Sequence, residues 1–181
     1  MNGSRQGKHS NAYFTGFGRN KRIVLFDTLV ERLSAEQVEA VLAHELGHYR
    51  LHHIRQRLVV SAATSFAGLA LLGWLTRQPL FYAAFGMATP SPHAALMLFS
   101  IAAPLATFWI TPLAAAWSRR HEFQADEFAA AHVRASALAH ALVGLYKDNA
   151  TTLTPDRVYS SFYDSHPPAR ARIARLRQAP A

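Results

Sequence analysis

Two long stretches without an acidic or basic side chain constrain the fold of this chain more than any other feature. Residues 58–76 contain no Asp, Glu, Lys or Arg over 19 positions, and residues 78–117 contain none over 40 positions, although His93 lies in the second stretch. A helix of about 20 apolar residues crosses a bilayer, and it satisfies its own backbone hydrogen bonds there. Residues 58–76 and 94–117 are therefore predicted transmembrane helices. The alternative is a pair of buried helices in a soluble domain.

The segment between the spans, residues 77–93, is rich in Pro, Gly and aromatic residues. It is predicted to be a short loop at the membrane interface, where aromatic rings lie at the depth of the lipid headgroups. The rings expected there are those of Trp74, Phe81, Tyr82 and Phe85.

Basic residues flank the outer ends of this pair, whereas the loop between the spans has only Arg77. The positive-inside rule therefore puts both outer ends of the pair on the cytoplasmic side. The flanking residues are Arg50, Arg55 and Arg57 before the first span and Arg119 and Arg120 after the second.

The net charge of +8 could indicate a nucleic-acid partner. The basic residues flank the spans or cluster near the C-terminus, however, so they are predicted to face lipid headgroups and no nucleic-acid partner is expected. The C-terminal cluster consists of Arg170, Arg172, Arg175 and Arg177. The chain has no Cys, which excludes a disulfide framework, and its N-terminus does not have the pattern of a signal peptide.

The motif HExxH at residues 44–48 predicts a zinc site. His44 and His48 lie four positions apart, so on a helix both imidazoles share one face and can bind one ion. Glu45 then lies beside them as the general base for a water molecule that attacks a peptide carbonyl. A capping box formed by Ser34 and Gln37 starts the predicted helix. The motif is typical of a metallopeptidase, and its chance occurrence is the alternative.

A catalytic zinc site usually has three protein ligands, so a third must come from elsewhere. The extended HExxHxxGxxH pattern is excluded, since Leu51 and Ile54 occupy its last two positions. Glu122 is the better candidate. Asp126 shares its helix face and is expected to hydrogen-bond the outer nitrogen of His44 and so orient that ligand.

Three other interpretations of these charged and histidine-rich regions stay open. The residues around Glu122 could form only a solvated helix face with ion pairs. His121 is a weaker rival ligand, about 100° around the helix from Glu122. His52 and His53 are predicted to face solvent or lipid headgroups. The charged face of the first interpretation comprises Arg119, Arg120, Glu122, Asp126 and Glu127.

The N-terminal region is predicted to form a β-hairpin with strands at residues 12–17 and 22–28 and a turn at 18–21. Asn11 and Ala12 could pair with an extended substrate backbone, although Asn11 also suits a turn. Further helices are predicted at residues 136–146 and from Pro168 to near Arg177, with a loop at 151–156. His166 precedes that last helix and could stabilise a tetrahedral oxyanion; otherwise it is a surface histidine.

Five segments together resemble the type I CaaX prenyl endopeptidases, which are integral-membrane zinc metalloproteases. They are residues 10–17 (SNAYFTGF), 22–29 (RIVLFDTL), 41–48 (VLAHELGH), 122–126 (EFQAD) and 166–168 (HPP). The resemblance covers nearly the whole chain. The heat-shock-type bacterial membrane proteases share HExxH and two spans, but their hairpin sequence is less similar.

The resemblance implies one Zn²⁺ per chain and a role for each matched residue. It implies that His44, His48 and Glu122 bind the metal, that Glu45 is the catalytic base and that His166 contacts the transition state. Asn11 and Ala12 would belong to the substrate-binding strand, and the substrate would be a peptide cleaved after a prenylated cysteine near its C-terminus. Full-length family members have further membrane helices before the hairpin, so this chain is expected to be a fragment or a minimal version that lacks that N-terminal membrane region.

The sequence thus predicts a mostly α-helical protein with a small β-hairpin, in which two transmembrane helices are inserted between the HExxH and ExxxD helices. Residues 1–57 hold the hairpin and the HExxH helix, residues 58–117 the two spans, and residues 118–181 the third-ligand helix and the C-terminal helices. Together they form one catalytic domain. The Ala- and Arg-rich composition favours a bacterial inner membrane as its location and membrane-protein quality control as a further candidate role. A zinc-stabilised fragment without turnover and a membrane-surface binding module are the alternatives to an enzyme.

Overall fold

A computed structural model describes residues 12–17, 20–25, 27–148 and 155–178, with side chains for residues 30–147 and 155–178. These residues fall into two compact units, Ile54–Leu113 and a discontinuous unit within Met1–His53 and Ala114–Ala181. The elements, in chain order, are β1 (Ala12–Phe17), β2 (Asn20–Leu25), α1 (Asp27–Arg32), α2 (Ala35–Arg50), α3 (His53–Leu75), α4 (Pro79–Ala83), α5 (Pro92–Phe108), α6 (Thr111–Ala130), α7 (Ala135–Asp148), α8 (Arg157–Tyr163) and α9 (Ala169–Leu176).

Strands β1 and β2 pair antiparallel, with Ala12 opposite Leu25 and Phe17 opposite Asn20. The predicted end of the second strand was wrong, because Thr28 belongs to helix α1. Asp and Thr are residues that favour a helix start over a strand end. Asn20 and Lys21, predicted to lie in the turn, belong to β2, and residues 18 and 19 lie outside the described part of the chain.

Helix α2 begins at the predicted capping box. The Ser34 side chain accepts a hydrogen bond from the Gln37 backbone N–H at 3.3 Å, and the Ser34 N–H donates to Gln37 Oε1 at 2.9 Å. The buried face of α2 includes Ala40, His44 and Gly47 at helical spacing. The helix ends after Arg50, and the chain turns at His52, whose φ of 62° lies in the left-handed region.

Small side chains bring the helices of the discontinuous unit close together. Helix α2 packs on α7, and α7 packs on α9. The main apolar cluster joins these helices to α6 and includes Ala40, Ala129, Leu138, Leu142 and Leu176. Helices α7 and α9 confirm the predictions made for residues 136–146 and for the segment after Pro168.

The other unit carries the apolar stretches. Helix α3 is long and apolar enough to cross a membrane, and none of its most apolar window is buried. Helices α5 and α6 meet the same criterion only when taken together, and they are bent by 58° at the break between them. The prediction of one continuous helix over residues 94–117 was therefore wrong.

Pro112 explains where this helix breaks. Pro112 follows Thr111 at the start of α6, where it lacks an N–H to donate and its ring would clash with the carbonyl of Phe108 in a continuous helix. The proline also disfavours helical backbone at the preceding residue. Pro104 also lies within this stretch, but α5 continues past it to Phe108. Three residues later, the Thr107 hydroxyl donates to the Ala103 carbonyl oxygen at 3.0 Å.

The segment between the apolar stretches is not simply a loop, since it contains the short helix α4. Tyr82 was predicted to lie among lipid headgroups, but it is only 1% exposed and packs against Ala95 and Leu98. Its hydroxyl can donate to the carbonyl oxygens of Thr76, at 3.1 Å, and Ser91, at 3.3 Å. Tyr82 therefore fixes this connection from within the unit.

Candidate metal centre

Helices α2 and α6 bring three potential metal ligands together. The Nε2 atoms of His44 and His48 are 3.3 Å apart. Glu122 Oε2 lies 3.6 Å from His44 Nε2, and Glu122 Oε1 lies 3.4 Å from His48 Nε2. Among the described residues, this is the group of His, Asp and Glu side chains whose geometry could hold a metal ion.

The spacing of these atoms fits a tetrahedral ion. Ligand atoms that lie about 2.0–2.1 Å from a tetrahedral zinc ion are about 3.3–3.4 Å from one another. The two imidazole nitrogens, 3.3 Å apart, agree with that value, and each lies 3.4–3.6 Å from one of the two Glu122 carboxylate oxygens. The donor set of two imidazoles and one carboxylate also occurs in catalytic zinc sites, which keep a fourth position open.

A close approach of α2 to α6 makes this geometry possible, and it depends on Gly47. A Cβ atom on Gly47 would lie 3.1 Å from Ala125 Cα, 3.2 Å from Ala125 O and 3.2 Å from Phe128 Cβ. Glycine in a helix costs about 1 kcal/mol relative to alanine, so its presence here indicates a packing requirement. A side chain here would need the neighbouring atoms of α6, the helix that carries Glu122, to shift by a few tenths of an ångström.

The buried charges at the site influence one another strongly. Burial alone would raise the pKa of Glu122, but hydrogen bonds with His44 and His48 outweigh it and hold this pKa well below its usual range. Burial would lower the pKa of His44, but hydrogen bonds with Asp126 and Glu122 raise it overall. The protein therefore keeps Glu122 ionised, as a metal ligand must be.

Asp126 lies beside the outer nitrogen of His44. His44 Nδ1 is 2.9 Å from Asp126 Oδ1, so the imidazole donates its outer N–H to the carboxylate while Nε2 faces Glu122. Burial would raise the pKa of Asp126, but hydrogen bonds from Arg172 and His44 lower it.

Arg172 was predicted to face lipid headgroups, and that prediction was wrong. Its side chain, only 5% exposed, donates from Nε to Asp126 Oδ2 at 2.8 Å and from Nη2 to Asp126 Oδ1 at 2.6 Å. Its Nη1 lies 3.5 Å from Glu122 Oε2. The sequence did hold a signal, because Arg172 shares the buried face of α9 with Ala169 and Leu176 at helical spacing.

Two other arginines are also engaged within the protein. Arg175 pairs with Glu127 at 2.6 Å and lies over the Phe123 ring at 4.7 Å. Arg119 donates to the carbonyl oxygens of Asp164, at 2.7 Å, and Ser161, at 2.9 Å. Arg119 and Arg175, which were predicted to face lipid headgroups, therefore connect α6 to α8 and α9.

Glu45 is half-buried on α2. Burial raises its pKa above the usual glutamate value, and the neighbouring His44 and His48 only partly offset this increase. A carboxylate with a raised pKa accepts a proton more readily, which suits a general base.

His166 lies at the edge of the site. Its side chain is 59% exposed, and Nδ1 is 4.0 Å from Glu122 Oε1. The next residue, Pro167, accepts a hydrogen bond from the Tyr146 hydroxyl at 3.3 Å, and Pro168 caps α9. These contacts hold the segment that carries His166 near the ligands.

The other histidines near the site only partly match the predictions made for them. His52 is exposed, as predicted. His53 is only 2% exposed and contacts His48, so its predicted exposure was wrong. His121, the rival ligand, is buried and stacks on His53, with ring centroids 4.1 Å apart, and it is not a member of the three-ligand group.

The predicted substrate-binding strand is described only in part. Asn11 lies outside the described residues. Ala12 begins β1, and β1 contacts the HExxH helix α2. The backbone of this strand is thus close to the helix that carries Glu45.

Comparisons with known proteins identify the family to which this chain is similar. The family description "Peptidase family M48" matches residues 1–179. The CAAX prenyl protease 1 homolog of Mus musculus is 35% identical to this chain over 99% of its length and 46% of the mouse protein. CAAX prenyl protease 1 of Saccharomyces cerevisiae is 36% identical over 97% of this chain and 42% of the yeast protein.

A solved structure shows the same fold. The crystal structure of S. mikatae Ste24p superimposes with a TM-score of 0.85 at 34% sequence identity and covers 97% of this chain and 44% of that protein. The chain spans somewhat less than half the length of these relatives. The predicted resemblance to the CaaX prenyl proteases is confirmed. By its sequence and by its fold, this chain belongs to peptidase family M48.

Proposed function

We propose that this chain is a zinc-dependent membrane endopeptidase that hydrolyses peptide bonds near prenylated C-termini. The observation that carries the proposal is the triangle of ligand atoms from His44, His48 and Glu122, with a carboxylate of raised pKa, Glu45, next to it. The names of the relatives, CAAX prenyl proteases, support the substrate class.

In this proposal His44, His48 and Glu122 hold one zinc ion per chain. When bound, zinc supplies a Lewis acid that lowers the pKa of water and polarises a peptide carbonyl. Glu45 takes a proton from the attacking water molecule and later gives it to the leaving amine. Asp126 keeps the proton of His44 on Nδ1, so that Nε2 retains its lone pair for the metal.

The substrate would be positioned by two further parts of the chain. Strand β1, beginning near Asn11 and Ala12, would pair with the extended backbone of the peptide. His166 would donate a hydrogen bond to the oxyanion that forms during attack. Its exposure and its 4.0 Å distance from Glu122 support this role.

We further propose that the chain works in a membrane, with both ends of its apolar helix pair on the cytoplasmic side of a bacterial inner membrane. The apolar helix α3 and the arginines outside the spans support this orientation. A quality-control role is less well supported, because the relatives described above are named for CAAX processing.

The test is hydrolysis of a quenched-fluorescent peptide ending in a prenylated CaaX sequence by the purified full chain in detergent. We expect the wild type to cleave this peptide faster than the same peptide without the lipid. Glu45→Gln should lower kcat by at least about 100-fold, because the proton acceptor is lost, while zinc content stays at one per chain. A wild-type chain that retains zinc but cleaves neither peptide would contradict the proposal.

A further inference from the structure

The His48 ligand has an outer partner of its own, formed by residues outside the HExxH motif. His48 Nδ1 lies 3.0 Å from His53 Nδ1, and His53 Nε2 lies 3.1 Å from Gln124 Oε1. The three side chains come from α2, α3 and α6. They form a chain of hydrogen bonds that runs away from the ligand triangle.

The acceptor at the end of this chain sets the direction of its hydrogen bonds. The amide oxygen of Gln124 accepts, so a neutral His53 ring carries its proton on Nε2 and leaves Nδ1 as an acceptor. His48 must then carry its proton on Nδ1 and donate it to His53. Its Nε2, which faces Glu122 Oε1 at 3.4 Å, is left with a free lone pair. This tautomer is the one that a metal ligand bonded through Nε2 requires.

The surroundings of His53 hold its ring in this position. The side chain is 2% exposed, and its ring is nearly parallel to that of His121, at an interplanar angle of 6° and a centroid distance of 4.1 Å. The His48 ring meets it edge-on, at 74°. A polar side chain buried this deeply is normally kept there by specific hydrogen bonds.

The backbone turn before His53 also serves this arrangement. His52 adopts a φ of 62°, a left-handed conformation that is uncommon for residues other than glycine. The turn redirects the chain after α2 ends at Arg50, so that His53 returns toward His48 only five residues later. Such strained positions persist where the surrounding structure determines them.

We propose that His53 and Gln124 form a neutral relay that positions His48 as a zinc ligand, as Asp126 does for His44. His53 is a positioning residue, since it acts on the metal only through His48. Helix α6 then supplies one ligand, Glu122, and the terminal acceptors for both histidines, Gln124 and Asp126. This inference rests on the proposed zinc site.

The test is the zinc affinity of the metal-depleted full chain in detergent, measured by competition with a chelating dye. His53→Phe keeps a ring to stack on His121 but removes the acceptor, and it should weaken zinc binding about 10- to 100-fold. His53→Asn places an amide oxygen near the former Nδ1 and should restore most of the affinity. His52→Asn, at the exposed neighbouring position, is the matched control and should bind zinc like the wild type.

A double-mutant cycle separates a relay from two independent packing effects. Gln124→Met alone should weaken zinc binding, but it should add nothing when combined with His53→Phe, because the hydrogen-bond chain is already broken. Losses that simply multiply in the double variant would overturn the proposal. So would a His53→Phe variant with wild-type affinity.

The outcome also distinguishes this inference from the proposed function. A wild-type chain that binds no zinc would overturn both. A wild type that binds zinc tightly, with variants that bind equally well, would overturn only the relay. If circular dichroism shows that His53→Phe does not fold, the Gln124→Met variant decides the question. Unchanged zinc affinity of Gln124→Met would contradict the relay. A loss of zinc affinity in Gln124→Met, with wild-type affinity retained in Gln124→Glu, would support it.

Discussion

Asp126 and Arg172 form the most deeply buried ion pair at the site. The guanidinium donates two hydrogen bonds to the carboxylate, at 2.6 and 2.8 Å, and the carboxylate also accepts from His44. The pair would act on the metal indirectly, because Asp126 orients His44 and Arg172 places a countercharge beside Glu122.

Removing one partner of this pair should be costly. Arg172→Met leaves Asp126 buried without its countercharge, and we expect the free energy of unfolding to fall by about 3–5 kcal/mol. Denaturant unfolding of the metal-free chain measures this loss. The double variant Arg172→Met/Asp126→Leu should recover part of it, because no unpaired buried charge remains. Equal stability of Arg172→Met and the wild type would show that the pair is not buried as described.

The same residues predict how stability depends on pH in the metal-free chain. The pKa values of Glu122 and Asp126 are lowered by folding, so their contribution is present above their ordinary values of 4.5 and 3.8 and is lost as the pH falls further. The pKa of His44 is raised above 6.5, so its contribution is present below 6.5 and is lost as the pH rises through the higher folded value.

We therefore expect the unfolding temperature of the metal-free chain to be highest at about pH 5–6.5 and to fall on both sides. Thermal unfolding followed by circular dichroism over pH 3–9 measures this profile. His44→Gln should remove most of the decline above pH 6.5. A profile that is flat below pH 5 would contradict the assigned carboxylate interactions.

His44 and His48 could be predicted from the sequence because helical spacing alone places them on one face, whereas Glu122 meets them through the tertiary contact between α2 and α6. His44 and His48 lie four positions apart on one helix, as Glu122 and Asp126 do on another. Arg172 and His53 could not be predicted in the same way. His53 precedes the first apolar stretch and Arg172 belongs to the basic C-terminal cluster, and the sequence does not show the tertiary contacts that bury these side chains.

At the scale of the elements, the crossing of α2 over α6 determines whether the ligands meet. The contact is made by Gly47 on one side and Ala125 and Phe128 on the other. His44 and His48 lie within reach of Glu122 only because the two helices approach this closely.

Gly47→Ala should therefore weaken the site although alanine favours helix formation. The new Cβ would lie 3.1–3.2 Å from the α6 backbone, which cannot move cheaply, so we expect a loss of about 1–3 kcal/mol in unfolding free energy and weaker zinc binding. Gly68→Ala on α3, where a Cβ meets nothing within 4 Å, is the control and should leave zinc affinity unchanged. Unchanged zinc binding by Gly47→Ala would contradict the role given to this crossing.

The elements themselves were only partly predictable. The capping box at Ser34 and the periodic pattern after it located α2 correctly. The break between α5 and α6 was missed because composition does not distinguish one long span from two bent helices, although Pro112 marks the place. Helices α1 and α8, of six and seven residues, are too short for periodicity to reveal them.

For the molecule as a whole, the zinc site is assembled from residues far apart in the sequence. The HExxH helix and the helix that carries Glu122 are separated by the apolar residues 54–113, and Arg172 comes from the last helix. An M48 chain of this length, under half that of the relatives compared here, nevertheless contains every side chain that we propose to hold and orient the metal.

The most direct test of the account is zinc K-edge X-ray absorption on the full chain loaded with one equivalent of zinc, compared with Glu122→Ala. For the wild type we predict about one zinc per chain, bound by two imidazole nitrogens together with oxygen ligands at about 2.0–2.2 Å. Glu122→Ala should bind zinc at least about 100-fold more weakly. A spectrum with three imidazole ligands, or a Glu122→Ala chain that holds zinc as tightly as the wild type, would contradict the assignment of these three residues as the ligands.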